Sequence, residues 1–309
     1  DFINIQELGQ GEHGKVYKCV RKMDLWPYAV KVLNKMCSGR KDRERVLQEI
    51  YALSSQGDNP FALRYYNAWE EQDVIYIQTE LCLKTLHDEW VGEGGQLPFQ
   101  RLATALYQAA SGLAYLHEHG MAHLDMKPAN LYLSLSGRIK IGDFGHVKVV
   151  EPDRMASRQE VELLELGDRR YVAPELLDVS SPVNLNKCDV FSLGASIYEL
   201  ACVSRLPESG SEFTDVRRGS LAHSHQLPPD LRELVESMMD PDPARRPSAQ
   251  QVVNLSRPLL QDDQHAADRL LPRAPSALDA ALRNMLLESR AKLARAEEKI
   301  AFMQKQMRR

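Results

Sequence analysis

The hydrophobic pattern changes period along the chain, and that change limits the fold more than any other feature. Near the N-terminus the apolar residues alternate. Ile3 and Ile5 lead into a Gly-rich turn, Val16, Tyr17 and Val20 resume, and YAVKVL at 28–33 is a short β-branched run. A period of two belongs to half-buried strands. Residues 41–56 break it, because Val46, Ile50 and Leu53 recur at helical spacing with charges between them. Strands are expected again at 63–69 and 74–79, separated by an acidic turn from Glu70 to Asp73. From Phe99 onward Leu102, Leu106, Ala109, Ala110, Leu113 and Leu116 trace the wide apolar stripe of an amphipathic helix. Later helices are expected at 187–202, 229–239 and 248–256, the last with Ser248 as N-cap. The pattern predicts an α+β fold of two lobes. A small antiparallel β-sheet lobe with one helix (1–80) precedes a larger, mainly α-helical lobe (83–260).

A chain of 309 residues has room for two such cores. Its formal net charge of −4 is close to neutral for this length and gives no indication of nucleic-acid binding. The five cysteines, Cys19, Cys37, Cys82, Cys188 and Cys202, are scattered and form no Cys-x-x-Cys pair. That spacing indicates neither a disulfide framework nor a zinc site, and a reducing compartment, nucleus or cytoplasm, is expected. No run reaches the roughly 18 apolar residues of a membrane span. The best, VFSLGASIYELACV at 190–203, is interrupted by Glu199. The chain starts at Asp1 without methionine, as expected of a piece cut just before a domain.

Past residue 260 the composition shifts. A linker is expected over 261–277, with two prolines in DDQHAADRLLPRAPS, and an amphipathic helix over 278–309. There Leu282, Leu286, Ser289, Leu293, Ala296, Ile300, Met303 and Met307 fall at heptad spacing. A coiled-coil partner or self-association is one reading, and a helix that packs only on this domain or on nothing is the other.

GQGEHGKV at 9–16 fits G-x-G-x-x-G-x-V and lies between two expected strands. A dinucleotide fold would place a helix directly after the glycines, whereas a β-hairpin lets the backbone of Gly9, Gln10, Gly11, Glu12, His13, Gly14, Lys15 and Val16 approach ATP phosphates. Alone the motif is a plain hairpin turn. Lys31, ending YAVK on the third strand, changes that reading, because a lysine there reaches the α- and β-phosphates. Glu49, on the helix that follows, can hold the lysine head.

HLDMKPANLYL at 123–133 supplies the rest. Asp125 can accept or orient the proton of a substrate hydroxyl, Lys127 can neutralise the transferring phosphoryl, and Asn130 can ligate Mg²⁺. Asp143 of the DFG triplet is the second metal ligand. Phosphoryl transfer needs positioned charge more than covalent help, so this set is sufficient for chemistry on ATP with Mg²⁺.

These motifs occur in order, and residues 1–260 resemble the eukaryotic protein-kinase superfamily. VAPEL at 172–176 resembles the kinase A-P-E, and Asp189 the aspartate that steadies the catalytic loop. Glu175 and Arg246 resemble the buried ion pair that anchors the activation segment. Within the superfamily the resemblance is to the Wee/Myt family, which restrains mitosis by phosphorylating cyclin-dependent kinases. HLDMKPANLYL with leucine where most kinases have arginine, DFGHVKV, YNAWEEQDVIYIQTELC and LGDRRYVAPELL carry it. It implies that Leu8, Val16, Ala29 and Tyr132 sandwich the adenine, that Glu80 and Cys82 offer backbone groups at the hinge, and that Thr79 guards the back of the pocket.

The implied partner is a cyclin-dependent kinase with its cyclin, phosphorylated on a Gly-loop tyrosine and, for Myt-like members, the adjacent threonine. Lys127 is more typical of Ser/Thr kinases, which keeps a translation-factor stress kinase as an alternative, and a pseudokinase scaffold is a third. The chain departs from the family at Leu166-Gly167-Asp168, where Glu-Gly-Asp is usual, at Thr79, where animal members carry asparagine, and at His13. Leu124 cannot gather an activating phosphate. Ser157 and Tyr171 are the only hydroxyl residues between Gly145 and Ala173, so fixed contacts, from Asp168 and Arg169, are expected to hold this segment. His117, His119, His223 and His225 are expected in surface or loop roles.

Overall fold

The computed structural model describes residues 1–260 other than 12, 13, 34–39, 58, 151–154, 163, 165, 178–181 and 203. The expected linker and C-terminal helix lie outside the described residues, as do Glu12 and His13 of the Gly-rich turn. The described chain divides into two compact units, 1–38 with 66–81 and 39–65 with 82–260.

The first unit is a five-stranded sheet of β1 (Phe2–Gly11), β2 (Gly14–Arg21), β3 (Pro27–Leu33), β4 (Tyr65–Glu71) and β5 (Val74–Glu80). Its order is β1-β2-β3-β5-β4. Alternation puts Cys19, Tyr28 and Val30 on one face, where Phe2, Val32, Trp69 and Tyr76 pack against them. Trp69 and Tyr76 stack across the β4–β5 pair with centroids 5.0 Å apart. The β4–β5 turn is tighter than the sequence suggested. Glu70 and Glu71 stay in β4, and Gln72 and Asp73 make the turn with φ of 52° and 61°, the positive-φ pair that suits the right-handed twist of a hairpin.

The second unit opens with α1 (Arg40–Ser55). It continues through β6 (Cys82–Thr85), α2 (Leu86–Gly92), α3 (Phe99–Glu118), β7 (Met121–Ala122), β8 (Leu131–Ser134), β9 (Ile139–Ile141) and β10 (Lys148–Val149). After these come α4 (Arg158–Glu162), α5 (Pro174–Leu177), α6 (Leu185–Ala201), α7 (Gly210–Arg217), α8 (Pro229–Met238) and α9 (Ala249–Ser256). α3 packs against α6 and α9. From Cys188 to Ala201 every residue of α6 is buried, so its near-continuous apolar sequence is that of a core helix. No described helix is long and apolar enough to cross a membrane.

Within the described residues, the helices expected from periodicity at 41–56, from Phe99, at 187–202, 229–239 and 248–256 are present within two or three residues. Ser248 caps α9 in a reciprocal pair with Gln251. α2, α4, α5 and α7 are short helices the periodicity did not reveal. α2 is announced only by its cap, Thr85 with Asp88, which satisfy each other's backbone N–H groups.

Candidate active site

In an antiparallel sheet, residues opposite one another in register share a face. Val16 faces Lys31, Ala29 faces Thr79, and Lys31 faces Ile77. Val16, Ala29, Lys31 and Thr79 therefore line the side of the sheet opposite its Cys19–Tyr28–Val30 core. Glu80 ends β5 opposite Tyr28. Gly14 is demanded by close approach, since a Cβ there would sit 2.2 Å from the Val32 carbonyl oxygen. Leu8 is half exposed on β1, and Gly9 has open space around it. Gln10 lies opposite Lys15, whose ammonium pairs with Glu7 at 3.0 Å.

In the second unit, Glu49 is buried on α1, which packs against the turn Phe144–His146 after Asp143. Cys82 opens β6 opposite Ser134, and Tyr132 on β8 lies opposite Thr85. Gly142 lets the Tyr132 ring lie close, because a Cβ would come within 2.8 Å of it. Burial pushes the Tyr132 phenol far above its ordinary range, so it is neutral.

The catalytic loop is fixed by one buried carboxylate. Asp189 accepts from the His123 N–H and the Leu124 N–H, each at 2.7 Å, and its Oδ2 also meets His117 Nε2 at 2.8 Å. These bonds hold Leu124 at φ 62°, a left-handed conformation costly for a leucine. His123 Nδ1 accepts from the Asp125 N–H at 3.3 Å, which leaves Nε2 to donate to the Gly142 carbonyl at 3.1 Å. The ring thus ties the loop to the strand leading into Asp143.

Asp125 is held from several sides. Its Oδ2 meets Lys127 Nζ at 2.7 Å and accepts from Asn130 Nδ2 at 2.8 Å, and its Oδ1 accepts from the Asp168 N–H at 3.0 Å. Because the Asn130 nitrogen also donates to the Asp125 carbonyl, the amide oxygen is turned away from Asp125. The Gly142 N–H donates to the Asn130 carbonyl at 3.0 Å, bringing Asn130 beside the residue that precedes Asp143. An amide oxygen and a carboxylate are the hard donors that Mg²⁺ accepts, so this pair fits the metal.

The segment past Asp143 is held by pairs of its own. Asp168 caps the turn Arg169–Tyr171 and clamps Arg170 through two bonds, Nε–Oδ1 at 2.9 Å and Nη2–Oδ2 at 2.5 Å. Burial alone would raise the Asp168 carboxyl, but Arg170 outweighs it and holds it below its usual range. The Tyr171 hydroxyl donates to buried Glu199, and its carbonyl accepts from Ser192 Oγ at 2.7 Å. Further on, Arg246 grips Glu175 with two bonds of 2.6 and 2.8 Å.

A family model described as "Protein kinase domain" matches residues 2–256. The chain belongs to the protein kinase family. The kinase is 38% identical over 253 residues to a Wee1-like protein kinase of Oryza sativa subsp. japonica, covering 82% of this chain and 46% of that protein. It is 34% identical over 278 residues to Wee1-like protein kinase 2 of Sus scrofa, covering 81% and 47%. It is 31% identical over 328 residues to Wee1-like protein kinase 1-B of Xenopus laevis, covering 98% and 53%. The chain spans about half the length of these relatives. The Wee/Myt resemblance and the α+β kinase fold read from the sequence agree with these matches.

Within this kinase the structure brings Asp125, Lys127 and Asn130 into one network and sets Asp143 beside it. Lys31 and Glu49 each take the strand and helix position expected of them. His117 departs from expectation, because it is not a surface side chain but a partner of Asp189. His119 stacks on Tyr115 at 4.0 Å. Sequence reasoning missed the Tyr171–Glu199 bond and the packing of Gly167 on Asp125. In the sequence Glu199 is a charge interrupting an apolar run, which is itself the signal of a buried, partnered carboxylate.

Proposed function

We propose that the kinase transfers the γ-phosphoryl group of ATP to the Gly-loop tyrosine of a cyclin-dependent kinase bound to its cyclin, and in the Myt manner to the adjacent threonine, restraining entry into mitosis. The Asp125 carboxylate, positioned by Lys127, Asn130 and the Asp168 N–H, carries the phosphoryl transfer, and the similarity to Wee1-like kinases supports the choice of substrate. Asp125 orients the acceptor hydroxyl and takes up its proton, while Lys127 neutralises charge on the transferring group. Asn130 and Asp143 would hold Mg²⁺, which when bound offsets the phosphate charge. The resemblance to kinases assigns Leu8, Val16, Ala29, Thr79, Glu80, Cys82 and Tyr132 to the adenine and the Gly-rich stretch to the phosphates. The same resemblance assigns Lys31 to the α- and β-phosphates and Glu49 to its support. Action in the nucleus, and a coiled-coil contact through 278–309, belong to the same reading.

The test is phosphorylation of a kinase-dead cyclin-dependent kinase with its cyclin, followed by phosphoamino-acid analysis. Phosphotyrosine in the Gly-rich loop is expected, and Asp143→Asn should lower the rate roughly a hundredfold or more. Phosphoserine alone would overturn the substrate, and equal activity of the two proteins would overturn the metal site.

The kinase should need no phosphate on its activation segment. Leu124 has no cation to gather one, and Asp168–Arg170, Tyr171–Glu199 and Glu175–Arg246 supply fixed contacts instead. The Ser157 hydroxyl is already engaged with Glu160 at 2.8 Å. Ser157→Ala and phosphatase-treated protein are expected to keep full activity in the same assay, and loss of activity in either would sink the idea.

A further inference from the structure

Two guanidinium groups, those of Arg169 and Arg217, share the Phe213 ring, and among the described residues no carboxylate pairs with either. Arg217, buried at the end of α7, lies over the Phe213 ring at 3.5 Å from its centroid. Its Nη donors go to backbone, to the Phe213 carbonyl at 3.0 Å, the Arg169 carbonyl at 2.6 Å and the Arg170 carbonyl at 3.2 Å, while its Nε has no partner among the described residues. Arg169 is exposed and leans on the same ring at 5.9 Å. Burial, with the nearby charge of Arg169, lowers Arg217 to about 10, as expected of cations crowded without a counter-ion.

The position of this pair matters. Arg169 directly follows Asp168, whose N–H bonds the Asp125 carboxylate, so its backbone stands one residue from the group that meets the acceptor hydroxyl. Arg217 and the turn hydrogen bond from the Val172 N–H both fix the Arg169 carbonyl. The neighbouring Arg170 is not available to a ligand in the same way, since Asp168 occupies it. The exposed Arg169 side chain thus leaves the backbone one residue after the N–H that holds Asp125.

Resting on the kinase reading above, we propose that Arg169, backed by Arg217 on the Phe213 ring, selects protein substrates that carry an anionic side chain, carboxylate or phosphate ester, within a few residues of the acceptor hydroxyl. Phe213 acts as a platform that limits the freedom of the guanidinium. A partly exposed charge pair of this kind contributes at most about 1 kcal/mol, which is about fivefold in selectivity.

The test uses a tyrosine acceptor peptide in which Glu, phosphoserine or Gln is scanned through the three positions on each side. For the wild type, kcat/KM is expected to be about fivefold higher with Glu or phosphoserine than with Gln at one of these positions. Arg169→Ala should bring that ratio close to one, Arg169→Lys should keep part of it, and Arg169→Glu should invert it. Melting temperatures of the variants confirm that they fold. The same peptides, fluorescein-labelled, are titrated by anisotropy without nucleotide, so the inference is read even if phosphoryl transfer fails. A better response to phosphoserine than to Glu would identify a primed substrate, and the reverse an acidic one. A wild type with no acidic preference in rate or binding, or a preference unchanged in Arg169→Ala, overturns the proposal.

Discussion

Gly167→Ala is expected to lower phosphoryl transfer by about a hundredfold or more while leaving the protein folded, measured as kcat beside a thermal melt. Gly167 does not need glycine for its backbone angles. It needs glycine for space, because an added Cβ would lie 2.2 Å from Asp125 Oδ1 and 2.7 Å from its Cγ. Neither side can yield cheaply. Moving the carboxylate breaks its bonds to Lys127, Asn130 and the Asp168 N–H, and moving the segment pulls that N–H away. A displacement near 1 Å at a reacting group can cost about a hundredfold. Gly92→Ala is the control, since its Cβ would meet nothing within 4 Å and it lies outside the site. If Gly167→Ala keeps a kcat within twofold of the wild type, the packing of the segment on Asp125 is not what sets its position.

Arg246→Ala is expected to have the largest effect on stability, about 3–5 kcal/mol, because it strips a largely buried carboxylate of its cation and removes a buried guanidinium's backbone bonds. For a chain of this size that corresponds to a melting temperature lower by roughly 10 °C. Arg246 is fully buried, and besides gripping Glu175 it donates to the Asp240 carbonyl at 2.7 Å and the Lys187 carbonyl at 3.1 Å. Its guanidinium also lies over Phe191 at 4.9 Å. Glu175→Ala should cost a comparable amount by leaving the guanidinium without its counter-ion. Joint replacement by apolar residues of similar volume should cost less than either single change, because no unpaired charge then remains. Urea unfolding of the three variants checks this. A midpoint for Arg246→Ala matching the wild type would show that the pair does not anchor the segment.

The fold was legible wherever burial is periodic. The alternation through β1–β3 and the stripe of α3 both follow from one face meeting a core, and the sequence records which face. α2 and α7 were not legible, because each has few buried residues and is fixed by contacts distant in sequence, such as the Trp90 Nε1–H donating to the Cys202 carbonyl at 3.1 Å. The catalytic residues were legible because phosphoryl transfer restricts both residue type and order. Their supports were harder to read. Nothing local to Gly167 announces that it touches a side chain 42 positions earlier in the chain, and nothing local to His117 sets it apart from surface histidines, because its partner Asp189 lies 72 positions on.

The catalytic loop takes its shape from two backbone N–H groups bonded to Asp189, not from the side chain at position 124. Any residue has such an N–H except proline. A lineage could therefore exchange the usual arginine for leucine in a single step, with no compensating change in the loop, and lose a regulatory input while keeping the enzyme. The architecture separates what is inherited as chemistry from what is free to drift as control.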